Sequence, residues 1–195
     1  MGQYYKPTIL KEDYKNEKQP IVCYAYTWDF NNGLKLMEHS YVGNHVTRQM
    51  EKELATEHYG KRLVWAGDYA DENENWKDND GYLLNVFALS GFLEEQGENL
   101  KIEPDDYDEL KSYRYAVNLD KKEYVKIPRR RKGKLTIHPL PLLCADGNGR
   151  GGGDFHCETA EHLRAVGSWA YDRIGVTNKK PDGFTEIVPD FKEDR

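Results

Sequence analysis

Only one segment of this 195-residue chain sustains helical periodicity, and that limits what the rest can form. Asn44 stands where an N-cap belongs, Val46, Met50 and Leu54 recur four residues apart, and Gly60 supplies a terminator. The spacing predicts a helix over about 44–59. Elsewhere the apolar residues come in short runs, rich in β-branched and aromatic side chains and broken by turn chemistry. Residues 21–27 (IVCYAYT) and 62–66 (RLVWA) read as strands, and Asn31-Asn32-Gly33 as a tight hairpin turn returning through a strand at 34–39. A second hairpin is expected around Asp120-Lys121, with arms at 112–119 and 124–127. Residues 1–10 contain Pro7 and suit an edge strand, where no ladder donor is missed. The apolar run 135–143 also reads as a strand, confined to an edge or bulge by Pro139 and Pro141.

The remaining segments fill in around these. Residues 72–81 are almost wholly polar and read as a surface loop, and 82–93 fit a short helix or a strand equally well. One helical turn is expected near 105–110, a short helix at 158–166, and strands at 169–176 and 184–188. The fold class is therefore α+β, a mainly antiparallel sheet with one longer helix and short helical turns, in a single domain spanning 1–195.

Composition narrows the function classes. With 38% apolar residues, 14 tyrosines and 4 tryptophans, the chain can bury a core and is not a disordered segment. No apolar run approaches the roughly 20 residues needed to span a bilayer, so no membrane association is expected. The formal net charge of −6 excludes nucleic-acid binding held by bulk positive potential. Charge is unevenly distributed: 94–109 is acidic, and 126–134 (KIPRRRKGK) is basic. Such runs are solvated loop ends, or surfaces for a phosphate or a protein partner. Three cysteines without a pairing pattern, and no secretory apolar region at the start, point to a reducing, cytoplasmic setting.

The candidate site is the glycine-rich stretch Cys144-Ala-Asp146-Gly-Asn148-Gly-Arg150-Gly-Gly152-Gly-Asp154-Phe-His156-Cys157. It lacks the Lys and hydroxyl of a phosphate-binding P-loop. Its literal Gly-x-Gly-x-x-Gly match has no parallel βαβ context. As a calcium loop it places Arg150 where an oxygen ligand belongs and ends on Cys157. His156, Cys157, Glu158 and His162 fit no zinc spacing. What remains is a shaped backbone turn whose N–H groups, helped by Arg150, can cradle an anion, or a purely structural turn whose glycines allow close packing. Asp68 and Asp71, just past the 62–66 strand, are placed to face the same pocket. His45-Val-Thr47 has the form of one half of a two-histidine phosphoesterase site, but no second copy exists.

Three segments, Met1-Gly-Gln-Tyr-Tyr-Lys6, Trp65-Ala-Gly-Asp-Tyr-Ala-Asp71 and Asp146-Gly-Asn-Gly-Arg-Gly-Gly-Gly-Asp-Phe155, together resemble a widespread group of uncharacterised proteins from bacteria and their phages. The resemblance implies a bacterial or viral, cytoplasmic source and carries over no activity or catalytic residue.

The expectation is a binding protein for a small anionic, nucleotide-like ligand. Its site would comprise Asp146, Asn148, Arg150, Gly152, Asp154 and His156 with Asp68 and Asp71, and would need neither metal nor cofactor. The alternatives are a protein-interaction or inhibitory module using 94–109 and 129–134 as partner surfaces, and a metal-assisted hydrolase using Asp68, Asp154 or His156.

Overall fold

A computed structural model describes residues 3–130, 134–147, 164–189 and 191. The fold is α+β, and its main sheet is mostly antiparallel. That sheet is centred on β3 (Lys61–Gly67), which pairs from Arg62 to Gly67 with the whole of β1 (Tyr5–Leu10); β1 in turn pairs with β2 (Ile21–Tyr24). On its other side β3 meets the start of β9 (Arg173–Thr177), which continues into the hairpin of β6 (Tyr115–Asn118) and β7 (Glu123–Lys126). Two short strands join in parallel, β8 (Ala145–Asp146) on β3 and β10 (Thr185–Glu186) on β7.

Alternation along β1 and β3 divides the interior in two. Tyr5, Ile9, Leu63 and Trp65 face one side, and Leu10, Val64 and Ala66 the other. The first side is covered by α1 (Leu36–His39), α2 (His45–Ala55) and α4 (Pro139–Leu143), and α2 supplies Val46, Met50 and Leu54. The second side is covered by α3 (Val86–Glu95) and by Trp76 of a small two-stranded sheet, β4 (Asn73–Lys77) with β5 (Leu83–Leu84).

Several sequence expectations are corrected. Residues 1–10 do not form an edge strand: β1 lies inside the sheet and every residue of it is buried. Pro7 is tolerated because its carbonyl bonds Ala25 N–H one residue past the end of β2, so the absent N–H faces the place where the ladder stops. Asn31 does adopt the left-handed conformation, but to leave a 3₁₀ turn at Thr27–Phe30, and residues 34–39 lead into α1 instead of a returning strand. The run 135–143 ends as a helix. Pro139 opens α4 and Pro141 follows two residues later, both in the first turn, where N–H groups have no intrahelical partner anyway. His138 caps it by accepting the Leu140 N–H, and Leu140, Leu142 and Leu143 are buried. The polar stretch 72–81 contains β4, and the strand expected at 169–176 begins only at Arg173. The helix expected at 44–59 is regular over His45–Ala55, with Asn44 accepting the Val46 N–H as its cap.

Candidate functional site

The sequence-predicted site residues fall into two sets. Asn148, Arg150, Gly152, Asp154 and His156 lie outside the described residues, as does the helix expected from 158 up to residue 163. Asp146, Asp68 and Asp71 are described and share one neighbourhood at the end of β3, around Tyr5 and Tyr171. Asp146 accepts a 2.5 Å hydrogen bond from the Tyr171 hydroxyl. Burial pushes its carboxyl above the usual range against that bond, and the charge of Asp71 adds to the rise. The Tyr5 hydroxyl donates to Gln3 at 2.9 Å and is pushed up to about 12 by burial, then by Asp68 and Asp146. Asp68 is occupied structurally: its Oδ1 accepts the Tyr4 N–H and its carbonyl accepts the Asn85 amide.

The start of the glycine stretch is likewise engaged in packing. A Cβ on Gly147 would stand 2.2 Å from Gln3 Oε1 and 2.6 Å from the Tyr5 hydroxyl, and one on Gly67 would stand 2.6 Å from the Asp146 carbonyl oxygen. Here the glycines let β3 and β8 approach each other closely. His45 and Thr47 are structural too. His45 Nε2–H donates to the Asp105 carbonyl with its ring edge-on to Phe30 and Tyr107, and the Thr47 hydroxyl bonds the Tyr41 and Asn44 carbonyls.

The opposite charge collects elsewhere. A cleft of about 700 Å³ opens where the first half of α2 meets the start of β6, the end of β7 and the segment 128–130. Arg48, Arg114, Lys126, Arg129 and Arg130 line it, with Tyr107, Tyr113 and Tyr115 between them. Among the described residues its one acidic lining residue, Glu51, is already hydrogen-bonded. One Glu51 oxygen accepts His138 Nε2–H at 2.7 Å and the other accepts the Tyr113 N–H at 3.3 Å. Because His138 Nδ1 accepts from Leu140, the ring proton must sit on Nε2, so the cap of α4 fixes the tautomer that donates to Glu51.

Local structure sets the arginines in place. Arg48 lies one turn into α2, three residues before Glu51, so both project from the same face. Its guanidinium carbon is 4.7 Å from the Tyr107 ring centroid. Tyr107 is held by its hydroxyl donating to the Gly43 carbonyl, and the Arg130 stem packs over Gly43. The acidic segment preceding Tyr107 is tied down through Asp105, which accepts from Gln49 and Lys52 of α2. Those two donors, Lys52 first, hold the Asp105 carboxyl below the usual range. Arg48 Nε is buried and, among the described residues, has no hydrogen-bond partner. Buried donors are almost always satisfied, so this atom stands out in the cleft wall. Among the described residues, no carboxylate pairs with Arg48, Arg114, Arg129 or Arg130.

The site was only partly visible in sequence. The basic run drew notice at 126–134, but Arg48 and Arg114 carried no motif, and only the fold brings them to it.

Fold and cleft together define an α+β protein with a cationic, tyrosine-lined cleft at one end of its sheet. Comparison of the chain with protein-family models, with curated proteins and with solved structures finds no match. No helix among the described residues is long and apolar enough to cross a membrane.

Proposed function

We propose that the protein binds a small phosphate-bearing, nucleotide-like ligand, and that the arginine cleft, with the glycine stretch no longer its centre, is the site. One observation carries this reading: Arg48 Nε is buried and, among the described residues, has no hydrogen-bond partner, in a cleft whose one acid among them, Glu51, already accepts hydrogen bonds from His138 and Tyr113. An unsatisfied buried donor costs about 1–3 kcal/mol. A phosphate oxygen that meets it after a small shift of the Arg48 side chain recovers that cost and adds a charge-assisted bond. Planar guanidinium groups suit phosphate oxygens in particular, since each can present two parallel N–H donors.

The cleft's volume lies within the range of roughly 300–1,000 Å³ that small-molecule sites occupy. Tyr113 and Tyr115 offer aromatic faces beside the cations, as a nucleobase requires. The overall charge of −6 is compatible with this chemistry, because the positive potential is local. Cys23 and Cys144 are both unpaired thiols, which supports a reducing, cytoplasmic setting.

Isothermal titration with nucleoside mono-, di- and triphosphates, pyrophosphate and inorganic phosphate tests the reading. The expected result is binding by at least one nucleotide that weakens with added salt and falls at least ~10-fold in Arg48→Met and Arg130→Gln. The reading is wrong if every compound is silent, or if both variants bind as the native chain does.

A further inference from the structure

The arginine cleft holds more positive charge than a single phosphate can answer. Of the five cations lining it, Lys126 is already paired, its ammonium 2.7 Å from Glu186 Oε1. The guanidiniums of Arg48, Arg114, Arg129 and Arg130 have no such partner among the described residues, and Glu51 is the one acid that lines the cleft with them. Four guanidiniums against one carboxyl leave an excess of three positive charges. These four fall into two pairs. Arg48 and Arg130 stand at the two ends of Tyr107: the Arg48 guanidinium carbon is 4.7 Å from the ring centroid, and a Cβ on Gly43 would stand 3.1 Å from Arg130 Cδ and 3.6 Å from the Tyr107 hydroxyl. Arg114 and Arg129 flank the exit of β7, where the Arg114 carbonyl accepts the Ile127 N–H at 2.9 Å and Arg129 follows two residues on.

We infer, building on the function proposed for this cleft, that its ligand carries a phosphoanhydride chain, as a nucleoside di- or triphosphate does. One phosphoryl group is clamped at Tyr107 by Arg48 and Arg130, and its neighbour in the chain is held by Arg114 and Arg129. Charge sets the minimum length of that chain. A monophosphate brings about two negative charges at neutral pH. It answers one pair of guanidiniums and leaves the other without a counter-ion, so their mutual repulsion persists. A diphosphate, at about −3, equals the excess in the lining, and a triphosphate, at about −4, equals the four guanidiniums.

Donor geometry points the same way. A guanidinium presents a planar fork that meets two phosphate oxygens at once. Two forks therefore already cover the three terminal oxygens of a monophosphate, and the second pair of forks needs a longer anion. Arg129 and Arg130 are consecutive on the segment leaving β7, and each belongs to a different pair. The two pairs thus lie side by side, as neighbouring phosphoryl groups of one chain require. The pairs also differ in their readiness for a lone phosphate. The first contains the buried Arg48 Nε and is propped by Tyr107, whose hydroxyl donates to the Gly43 carbonyl. The second consists of two exposed side chains. Inorganic phosphate alone therefore goes to the first pair, and only a chain reaches the second.

Calorimetric titration in magnesium-free buffer, where no divalent ion shares the phosphate charge, tests this with two series. One is phosphate, pyrophosphate and tripolyphosphate; the other is adenosine mono-, di- and triphosphate. Affinity should rise along each series by at least ~10-fold from first member to last, the worth of an added charge-assisted contact. In the double variant Arg114→Gln/Arg129→Gln, inorganic phosphate should bind within about twofold of the native chain, and the gain along the inorganic series should shrink below ~3-fold. Both replaced side chains are exposed, so far-ultraviolet circular dichroism should be unchanged and Tm should not fall. Binding with no gain along either series overturns the inference while the cleft remains a phosphate site. An undiminished gain in the double variant overturns it too, by removing the second pair from the site. Tripolyphosphate binding more tightly than adenosine triphosphate overturns the nucleotide as the source of the chain. Silence of every compound overturns the proposed function itself, and this inference with it.

Discussion

Two cations, Lys6 buried and Arg48 half-buried, lie on opposite faces of the sheet and show opposite treatments of the same physical problem. Lys6 projects from β1 towards α3, where its ammonium donates to the Ser90 hydroxyl at 2.9 Å and the Phe87 carbonyl at 3.3 Å and lies 4.1 Å from the centroid of the Phe87 ring. Arg48 projects from α2 into an open cleft, with a tyrosine under its guanidinium and nothing on its Nε. The first charge is enclosed and saturated by its own chain. The second is held in position and left incomplete. A saturated buried charge needs no ligand to explain it, whereas an incomplete one facing a cavity does.

The largest expected effect tests the saturated side. Burial pulls the Lys6 amine down to about 8, with Glu94 opposing and Lys101 reinforcing. In the unfolded chain the amine titrates near 10.5. Between those values the unfolded state binds the proton and the folded state does not, so the Lys6 contribution to stability grows as pH rises. It is complete above 10.5 and lost as pH falls through about 8. Stability of the native chain relative to Lys6→Met should therefore rise by about 3 kcal/mol across that window. Urea unfolding of both proteins at matched pH measures it, and the tyrosine and cysteine titrations common to both cancel in the difference. Ser90 keeps its bond to the Phe87 carbonyl in the variant, so no donor is orphaned. A flat difference would mean that Lys6 is hydrated, and the contrast with Arg48 would fail.

Arg48→Met probes the incomplete side and should move two observables in opposite directions. Nucleotide affinity should fall roughly 10- to 100-fold, the worth of a charge-assisted hydrogen bond. The free protein should gain about 1 kcal/mol, because the methionine keeps the apolar stem and removes an unsatisfied donor. Titration calorimetry and chemical denaturation read the two effects separately. A variant that loses stability along with affinity would show Arg48 to be structural.

How far the sequence foretold this depends on the range of the forces involved. The helix at α2 was legible because its cap, apolar stripe and terminator lie within seventeen residues, Asn44 to Gly60. The β6–β7 hairpin was legible because Asn118 Oδ1 accepts the Asp120 and Lys121 N–H groups and Lys122 takes φ +52°. The interior position of β1 was not, since it rests on pairing with β3, more than fifty residues away. The cleft was hidden for the same reason: Arg48 and Arg130 are eighty-two positions apart and meet only across Gly43 and Tyr107. The prolines of 135–143 misled because strand rules forbid them and helical first turns welcome them.

The acidic end of β3 extends the comparison to anions, with intermediate effects. Gly147→Ala would drive a methyl group into the Gln3 amide and the Tyr5 hydroxyl, and overpacking of that kind costs about 1–3 kcal/mol. Thermal unfolding should show the loss, while nucleotide binding in the arginine cleft should be unchanged. A binding defect in Gly147→Ala would return the glycine stretch to the centre of the site.

The smallest effect concerns Asp146, where the sign carries the information. Its folded carboxyl titrates above the unfolded value near 3.8, chiefly because of burial. The protonated form is therefore the one that folding favours. Its contribution is fully present below the unfolded value and is lost as pH rises through the raised folded one, so at neutral pH the ionised carboxylate works against the fold. Asp146→Asn keeps an acceptor for the Tyr171 hydroxyl and removes the charge facing Asp71. The variant should melt at a higher temperature than the native chain at pH 7, and the gain should disappear in acid below the unfolded value. Such a gain would mark Asp146 as an acid retained against stability, the anionic counterpart of Arg48. No gain would show that the Tyr171 hydroxyl bond offsets the burial of the ionised carboxylate.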